Sequence, residues 1–326
     1  FIKENDGYFP IRVEALEEGT VAHVRVPVYQ ITADDEYATL ITFFETIMTQ
    51  VWYPTCVATL SRRAKDYIQV GFEKSVDAEQ FGLLDTKLHD FGFRGCTCVE
   101  QAIIGGCAHM LNFIGSDTMA AAYHAQYHLN NGKPVCQSVP ATEHSVMTSW
   151  KNERMAMMNM IEQFGGGVIS VVMDSYDYTN ALNKIIPEIM PEFRKKGGLF
   201  VMRPDSGDPV EAVMEALIAG DKAFGSKVNG KGFKVLDGAN VLQGDGINIV
   251  MLQKIMDAVL EAGYSAQNVT FGMGGGLMQK VDRDTMSFAT KLSYSKQKDG
   301  TERDIMKKPK TDPTKFSLPG YLKVLR

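Results

Sequence analysis

The fold is decided by short apolar runs that end in charged turns, and the clearest are Val168-Ile-Ser-Val-Val-Met-Asp174 and Leu199-Phe-Val-Met-Arg203. Each run is long enough for one buried strand, and a helix-like stretch follows each turn. Seven such runs succeed one another and end at Asp90, Asp117, His144, Asp174, Arg203, Asp245 and Gly274. These ends lie 27 to 42 residues apart, close to the ~30 residues that one βα unit needs. The cadence predicts a parallel sheet, closed or open.

The segments before and between these runs carry weaker signals. Alternating apolar residues predict a hairpin or a small sheet over residues 11–15 and 21–28. Helical spacing predicts one helix over about residues 37–60 and a second over about residues 58–72. The Gly/Lys-rich stretch at residues 225–232 predicts an exposed loop.

Composition narrows the class of protein. The chain has 326 residues, of which 44% are hydrophobic and 22% charged, and its formal net charge is −5. These values exclude a disordered or collagen-like chain and argue against a nucleic-acid coat, while they leave room for a local basic pocket. Five cysteines do not form an even disulfide framework. No run of 18 apolar residues is present, so we expect a cytoplasmic protein.

The charged run-ends indicate a functional site. In β/α barrels the carboxyl ends of the strands form the active-site face, so side chains at successive run-ends would converge. Helix N-capping is the alternative for the acidic residues, and it fits Asp117, Asp174 and Asp208. It does not account for His144, Arg94 and Arg203 at equivalent places. We therefore favour a convergent site.

Glycines and arginines indicate an anionic ligand. Gly272-Met-Gly-Gly-Gly-Leu277 follows one run and precedes a helix, where backbone N–H groups can approach a phosphate. Arg203-Pro-Asp-Ser-Gly207 pairs a cation with a carboxylate, as a phosphorylated ribose requires. A turn held by its own Arg–Asp ion pair is the alternative. With Arg283 one helix beyond the glycine-rich turn, and Arg94 and Arg203 at strand ends, a ligand with more than one phosphate is favoured.

His144 is the candidate for proton or phosphoryl chemistry, and Asp174 at the next run-end could orient its imidazole. Ser145 lacks the Gly-x-Ser-x-Gly elbow, which argues against a hydrolase triad. Other Cys and His groups are interpreted as structural, with a metal site as the alternative. These are Cys96, Cys98, Cys107 and His109, and the pair His124 and His128.

At this point several motifs, in order along the chain, resemble the nicotinamide phosphoribosyltransferase family. They are Leu88-His-Asp-Phe-Gly-Phe-Arg-Gly95, Ser138-Val-Pro-Ala-Thr-Glu-His-Ser145, Asp174-Ser-Tyr-Asp177, Arg203-Pro-Asp-Ser-Gly207, Gln243-Gly-Asp-Gly246, Gly274-Gly-Gly-Leu-Met-Gln-Lys280 and Thr311-Asp-Pro313. The resemblance runs from about Gly7 to Arg326. Several motifs in one order are far more specific than any one of them.

The resemblance implies an irregular β/α barrel joined to a second, partly represented α/β domain. We accordingly expect a partial second domain over residues 1–85, the catalytic barrel over residues 86–285, and a return to the second domain over residues 286–326. It also implies a homodimer with shared active sites. The implied reaction joins nicotinamide to 5-phosphoribosyl 1-pyrophosphate with Mg²⁺, giving nicotinamide mononucleotide and pyrophosphate.

The resemblance also implies roles for individual residues. Phe91 would stack on the nicotinamide ring, and Asp117 would accept a hydrogen bond from its amide while repelling the carboxylate of nicotinic acid. Arg94 and Arg203 would hold the pyrophosphate. His144 would be phosphorylated by the co-substrate ATP, and its support would be Asp174. Ribose and phosphate contacts are implied for Asp205, Asp245, Gly244, Gly275, Arg283 and Lys291.

The sequence departs from the family in two ways and leaves alternatives open. The family begins before the position of Phe1, so we expect a missing segment, including a tyrosine that covers nicotinamide in the partner subunit. Ala289 stands where some members have a phosphate-binding serine. Nicotinate phosphoribosyltransferase is the alternative enzyme, and a non-catalytic relative is the alternative class. A generic sugar-phosphate barrel enzyme is the third alternative. It would need a lysine or a set of metal ligands at the strand ends, and the sequence shows neither there.

Overall fold

A computed structural model describes residues 1–312 and 315–324, so Pro313 of the Thr311-Asp-Pro motif lies outside the described residues. The chain forms two compact units. The larger one is Tyr53–Asp282, and the smaller one combines Phe1–Trp52 with Arg283–Arg326.

Both compact units contain helices and strands, which alternate through the larger one. The helices are α1 (Leu40–Thr49), α2 (Trp52–Ser75), α3 (Val99–His109), α4 (Met119–His124), α5 (His144–Ser149), α6 (Glu153–Phe164), α7 (Tyr178–Asn180), α8 (Ile186–Lys196), α9 (Pro209–Phe224), α10 (Ile249–Glu261) and α11 (Gly275–Met278). The strands are β1 (Arg12–Ala15), β2 (Tyr29–Thr32), β3 (Leu88–Asp90), β4 (Gly115–Ser116), β5 (Val168–Val172), β6 (Leu199–Arg203), β7 (Ser226–Val228), β8 (Lys234–Leu236), β9 (Ala239–Gln243), β10 (Val269–Met273), β11 (Tyr294–Lys296) and β12 (Glu302–Asp304). Short 3₁₀ turns cover Asp35–Tyr37, Ala78–Thr86, Phe93–Gly95 and Ala266–Asn268, and π-helical turns cover Ala125–Leu129 and Ala181–Ile185.

Six parallel strands form the central sheet, in the order β4-β3-β10-β9-β6-β5. Its two edges are joined by residues 137–142, which we call the bridging segment. On one side Gln137 N–H donates to the carbonyl of Ile114 at 2.7 Å, and on the other Thr142 N–H donates to the carbonyl of Ser170 at 2.9 Å. The segment completes a ring, which confirms the expected irregular β/α barrel. All seven predicted runs take part in it, six as strands and the third as this segment.

Apolar side chains of the strands and surrounding helices fill the core of the larger unit. Strand residues that are fully excluded from solvent include Leu88, Ile169, Val171, Phe200, Met202, Val241 and Phe271. Burial of such side chains stabilises the fold by about 1.5–3 kcal/mol each. The runs are apolar throughout because a parallel sheet covered by helices is buried on both faces.

Helix α2 packs in the larger unit, although the sequence places residues 53–85 in the second domain. Its side chains Val57, Ala64 and Ile68 are fully buried. Gly71 lies so close to Met256 of α10 that an added Cβ would be 2.8 Å from the Met256 sulfur. The compact units therefore divide the chain after Trp52 and after Asp282.

The smaller unit combines both ends of the chain. Strands β1 and β2 pair antiparallel, as do β11 and β12. Phe9 packs edge-on against Phe44 of α1, with ring centroids 4.9 Å apart. The Thr290 hydroxyl is hydrogen-bonded to Thr49 at 2.7 Å and also to Tyr29. The C-terminal segment is thereby tied to the N-terminal residues.

Three local predictions were wrong. The first strand pairs with Tyr29–Thr32 and not with residues 21–28, which lie in a loop. The first helix ends at Thr49 and the second begins at Trp52, so that Pro54 falls in a first turn, where its missing N–H leaves no hydrogen bond unmade. Residues 225–232 are exposed or half-buried as expected, but they contain β7 and the turn of the β7–β8 hairpin instead of a loop.

The helices of the described residues 1–312 and 315–324 include none that is long and apolar enough to cross a membrane.

Lys87, just before β3, is a buried cation. The residue is 3% exposed, and its Nζ donates to the carbonyl of Gln267 at 2.6 Å and to Thr270 Oγ1 at 3.4 Å. Both partners are neutral, and burial lowers the pKa of Lys87 to about 7. The folded chain therefore holds this proton less tightly than the unfolded chain, whose lysines have a pKa of about 10.4.

We predict that this lysine gives the protein a pH-dependent stability. From about pH 7 to 9 the unfolded state binds the extra proton, so the free energy of unfolding of the wild type should rise relative to Lys87→Met by about 1.4 kcal/mol per pH unit. Urea denaturation of both proteins at several pH values measures this slope. The exposed Lys254→Met variant is the control and should show none. A pH-independent difference for Lys87→Met would contradict the prediction.

Candidate active site

Side chains from neighbouring strands, and from the bridging segment between β4 and β5, lie at the carboxyl ends of the barrel strands. The parallel pairing of β3 with β4 and β10, and of β5 with β6, brings all of these ends to one rim. The closure by residues 137–142 adds a further stave between β4 and β5. The rim carries the candidate site.

The Phe91 ring packs directly against the backbone of Gly244 and Gly272, which we call the glycine shelf. The Phe91 N–H donates to the carbonyl of Met273 at 3.1 Å. A Cβ on Gly272 would collide with the Phe91 ring, and a Cβ on Gly244 would lie 2.9 Å from Phe91 Cε2. Only residues without side chains at these positions allow the ring to lie across β9 and β10. The half-buried ring offers a flat apolar surface to a ligand.

Asp117, directly after β4, has both carboxylate oxygens engaged. The Ser138 hydroxyl of the bridging segment donates to Oδ1. The Nδ1 atom of His89 lies 3.4 Å from Oδ2. The backbone N–H of Asp117 donates to the carbonyl of Asp90 at 3.0 Å. The carboxylate is therefore fixed next to His89, whose ring centroid is 6.3 Å from that of Phe91.

Asp90 faces the opposite side of β3 and stabilises the turn that carries Phe91. Its Oδ1 accepts a hydrogen bond from Gly92 N–H at 2.7 Å. Burial raises the pKa of this carboxyl, and the nearby charge of Asp117 raises it further. Alternation along a strand explains why His89 and Phe91 share one face while Asp90 faces α3.

His144 is held between a hydroxyl and a carboxylate. Its Nε2 lies 3.1 Å from Asp205 Oδ2, and its Nδ1 lies 3.1 Å from Ser175 Oγ. Asp174 Oδ1 is 3.9 Å from Nε2 and has no hydrogen-bond partner among the described residues. Asp205 is thus closer to the imidazole than Asp174 is. The support role of Asp174 stays a prediction.

Arg203 brings a cation to the same group. Its Nη2 lies 3.6 Å from Asp205 Oδ2. Its buried Nε has no hydrogen-bond partner among the described residues. A guanidinium has five N–H donors, so this arrangement leaves donors for an anionic ligand.

Gly244 joins the two clusters. A Cβ at this position would be 2.9 Å from Phe91 Cε2 and 3.6 Å from Asp205 Oδ1. The Phe91 ring and the His144–Asp205–Arg203 group are therefore immediate neighbours. Asp245 follows as an exposed residue, and Gly275 begins the four-residue helix α11.

The remaining predicted cations are one residue of the larger unit and two of the smaller unit. Arg94 is exposed on the 3₁₀ turn Phe93–Gly95 of the larger unit. Arg283 and Lys291 belong to the smaller unit. There the Arg283 guanidinium pairs with Asp284 at 2.8 Å, and Lys291 Nζ lies 3.5 Å from Glu45 Oε1.

Helix capping explains only one of the three acidic residues considered from sequence. Asp208 accepts hydrogen bonds from Val210 N–H and Glu211 N–H at 2.9 and 3.0 Å, and so caps α9. The carboxylate of Asp117 is instead bonded to side chains. Asp174 Oδ1 is buried without such a bond.

Histidines considered for a metal site are placed differently. The ring nitrogens of His109 lie 2.9 Å from Ser61 Oγ and 3.0 Å from the carbonyl of Gly115, so neither is open to a metal. Burial lowers the pKa of His109 to about 4. His124 and His128 stack at 4.9 Å. Within the described parts of the chain, no group of three or more His, Cys, Asp or Glu residues could hold a metal ion.

Sequence reasoning missed several residues of the site, namely His89, Ser138, Ser175 and Gly272. All four lie within the stretches quoted above or directly beside the predicted residues. The period-2 alternation around Phe91 could have indicated His89, because residues two apart on a strand share a face. Ser138 depends on how the bridging segment pairs with β4, which no local pattern encodes.

Comparisons with known proteins converge on one family. The nicotinate phosphoribosyltransferase (NAPRTase) family model matches residues 86–323. A nicotinamide phosphoribosyltransferase of Xanthomonas campestris is 43% identical over 98% of this chain and 69% of its own length. One of Acinetobacter baylyi is 31% identical over 98% of this chain and 68% of its own length. The chain thus spans about seven-tenths of these relatives.

A solved structure is similar in fold. The crystal structure of a nicotinate-nucleotide pyrophosphorylase from Pyrococcus furiosus superimposes with a TM-score of 0.59 at 18% identity, over 82% of this chain and 58% of that one. At this level of identity the likeness concerns the fold alone.

We predict that the Phe91 ring depends on Gly272. Gly272→Ala should lower the free energy of unfolding more in the wild type than in a Phe91→Ala background, because the new methyl group collides with the ring. The coupling energy should be about 0.5–3 kcal/mol, measured by urea denaturation in a double-mutant cycle. Gly166→Ala, whose Cβ would lie 3.8 Å from its nearest neighbour, is the control. Additive effects of Gly272→Ala and Phe91→Ala would show that the shelf does not position the ring.

Proposed function

Since the chain belongs to the nicotinate phosphoribosyltransferase (NAPRTase) family, we propose that it acts as a nicotinamide phosphoribosyltransferase. The reaction transfers the phosphoribosyl group of 5-phosphoribosyl 1-pyrophosphate to nicotinamide and releases pyrophosphate. The observation that carries the choice of nicotinamide is the fixed carboxylate of Asp117 next to His89, whose ring in turn lies near that of Phe91. The relatives named nicotinamide phosphoribosyltransferase agree with this choice.

The base would stack on Phe91 with its amide directed at Asp117. A carboxylate accepts hydrogen bonds from an N–H₂ group and repels a second carboxylate, so nicotinamide is favoured over nicotinic acid by charge. Stacking on the half-buried ring would fix the plane of the base. The ring nitrogen is then positioned for attack on the ribose carbon.

Cations and ribose contacts would act on the other substrate. In the reaction the bond from C1 of the ribose to the pyrophosphate oxygen breaks while a bond from C1 to the ring nitrogen forms. Positive charge develops on the sugar and negative charge on the leaving group, which Arg203 and Arg94 would stabilise. Asp205 and Asp245 would contact the ribose, and Gly244 and Gly275 would approach the 5-phosphate. Mg²⁺ would enter bound to the pyrophosphate substrate.

Arg283 and Lys291 of the smaller unit would add phosphate contacts, in part across a homodimer.

Three exposed apolar side chains support association. Met119, Tyr123 and Tyr127 recur every four residues on α4 and the π-helical turn after it. Aromatic and methionine side chains are typical of interface cores. Light scattering of the full-length protein measures its mass in solution, which should be that of a dimer.

The cytoplasmic location stays a prediction from the sequence.

ATP would couple to the reaction through His144, which would receive its terminal phosphoryl group. The Asp205 carboxylate at Nε2 supports this role. It leaves Nδ1, 3.1 Å from the Ser175 hydroxyl, as the nitrogen that would accept the phosphoryl group while ADP leaves. A carboxylate next to an imidazole stabilises the charge that forms when the ring is phosphorylated or protonated. Asp174 would give secondary support at 3.9 Å.

We predict that the base selectivity is governed by Asp117. The full-length protein with Mg²⁺ and 5-phosphoribosyl 1-pyrophosphate should convert nicotinamide, and Asp117→Asn should lower kcat/KM for nicotinamide by about ten- to a hundredfold, since a charge-assisted hydrogen bond is lost. The same variant should use nicotinic acid better than the wild type does. Product analysis by liquid chromatography measures both reactions.

Other outcomes distinguish the alternatives. Turnover of nicotinic acid but not nicotinamide by the wild type would identify a nicotinate phosphoribosyltransferase. If neither base reacts and nicotinamide mononucleotide does not raise the Tm, the chain is a non-catalytic relative, because a bound product stabilises the folded state.

We also predict that His144→Ala abolishes the stimulation by ATP. The ratio of the rates with and without ATP should fall to about one, because the variant has no nitrogen that can accept the phosphoryl group. Initial rates of nicotinamide mononucleotide formation measure the ratio. The exposed His128→Ala variant is the control and should keep the wild-type ratio. Undiminished stimulation in His144→Ala would remove the phosphohistidine from the proposal.

A further inference from the structure

We propose that His89 and Ser138 are positioning residues that set the selectivity of the site, because together they hold both oxygens of the Asp117 carboxylate in one orientation. This inference rests on the proposed function and deepens it. Neither residue is needed to bind phosphate or to form the new bond. Their effect acts through Asp117 on the choice between an amide and an acid.

The three residues come from three adjacent staves of the barrel. His89 lies on β3, Asp117 follows β4, and Ser138 lies on the bridging segment. His89 pairs with Gly115, and Gly115 pairs with Gln137, so Asp117 and Ser138 follow two and one residues beyond this level. The cluster therefore forms only in the folded barrel.

Ser138 holds one side of the carboxylate. Its hydroxyl donates to Asp117 Oδ1. Ser138 follows Gln137, whose backbone is bonded to both neighbours of Gly115: its N–H donates to Ile114 at 2.7 Å, and its carbonyl accepts from Ser116 at 3.3 Å. The hydroxyl is thus carried by a backbone that is itself fixed to β4.

His89 holds the other side. Its Nδ1 lies 3.4 Å from Asp117 Oδ2, within ion-pair distance. Because an ionised carboxylate only accepts, this polar contact is attractive when Nδ1 carries the hydrogen. The imidazole lies flat against Gly115, where an added Cβ would be 2.6 Å from His89 Cδ2 and 2.7 Å from Nε2. The side chain is only 11% exposed. It therefore cannot swing away from Asp117 without displacing the sheet.

The carboxylate keeps capacity for a substrate. A carboxylate has about four lone-pair sites. The Ser138 hydroxyl uses one on Oδ1, and the His89 imidazole approaches Oδ2. The Asp117 side chain remains 36% exposed, so a carboxamide can still reach it. An aspartate χ2 angle is otherwise broad, and a carboxylate without its two donors would turn toward water. It would then accept from an amide and repel an acid less effectively.

Matched variants separate this role from simple packing. His89→Asn keeps an N–H donor near the position of Nδ1, whereas His89→Phe fills the space without a donor. Ser138→Thr keeps the hydroxyl, and Ser138→Ala removes it. Ser138 is exposed, so Ser138→Ala should fold normally even if a variant of the buried His89 does not. His128→Phe, on the exposed surface of the π-helical turn after α4, is the control.

The measurement is the ratio of kcat/KM for nicotinamide to kcat/KM for nicotinic acid in the full-length protein. We expect this ratio to fall about tenfold in Ser138→Ala, which loses a hydrogen bond to a charged group, and in His89→Phe, which loses a polar contact to the same group. The change should appear in KM for nicotinamide, while KM for 5-phosphoribosyl 1-pyrophosphate stays constant. His89→Asn, Ser138→Thr and His128→Phe should keep the wild-type ratio.

The outcomes are distinguishable. An unchanged ratio in both His89→Phe and Ser138→Ala, or equal losses for the two bases, would overturn the positioning role while leaving the proposed function in place. A wild type that converts no nicotinamide would overturn the proposed function itself, and the selectivity role with it. A ratio that falls in His89→Asn as far as in His89→Phe would show that the ring shape, and not the donor, is what matters.

Discussion

The structure depends on the backbone hydrogen bonds by which residues 137–142 close the barrel. A parallel sheet of six strands has two open edges, and here one short segment pairs with both of them. Because the segment enters beside β4 and leaves beside β5, Ser138 and His144 take their places on the same rim. Without this closure, the edge strands β4 and β5 would be free to separate, and the residues that follow them, Asp117 and Asp174, would separate with them.

Close backbone approach then shapes the site on that rim. Glycines at positions 244 and 272 let Phe91 lie across two strands, and Gly115 lets His89 lie across a third. Aromatic and imidazole rings thus replace the side chains that the strands lack. Gly244 likewise has no side chain to separate Asp205 from Phe91. The proposed base pocket and the His144 group therefore both border Gly244. One ligand that spans both clusters fits this arrangement better than two separate ligands.

The sequence predicted the barrel well because the length of a βα unit is set by local geometry. The strand and its helix fix the spacing of about 30 residues, and parallel pairing fixes which ends meet. Contacts between staves could not be predicted in this way. The nearness of His89 to Asp117, and of Asp205 to His144 ahead of Asp174, depends on the register between strands that are distant in sequence. The boundary between the two units could not be predicted from the sequence either. Helix α2 has the pattern of an ordinary amphipathic helix, and its place in the larger unit is evident only from packing contacts such as that of Gly71 with Met256.

The central claim is that Phe91 and Asp117 together recognise nicotinamide, and a crystal structure of the full-length protein with nicotinamide and a non-reactive analogue of the phosphoribosyl donor tests it most directly. The account predicts the pyridine ring stacked on Phe91, with its amide nitrogen within hydrogen-bond distance of an Asp117 oxygen that still faces Ser138 or His89. A ring bound elsewhere, or an Asp117 carboxylate turned away from the amide, would contradict it.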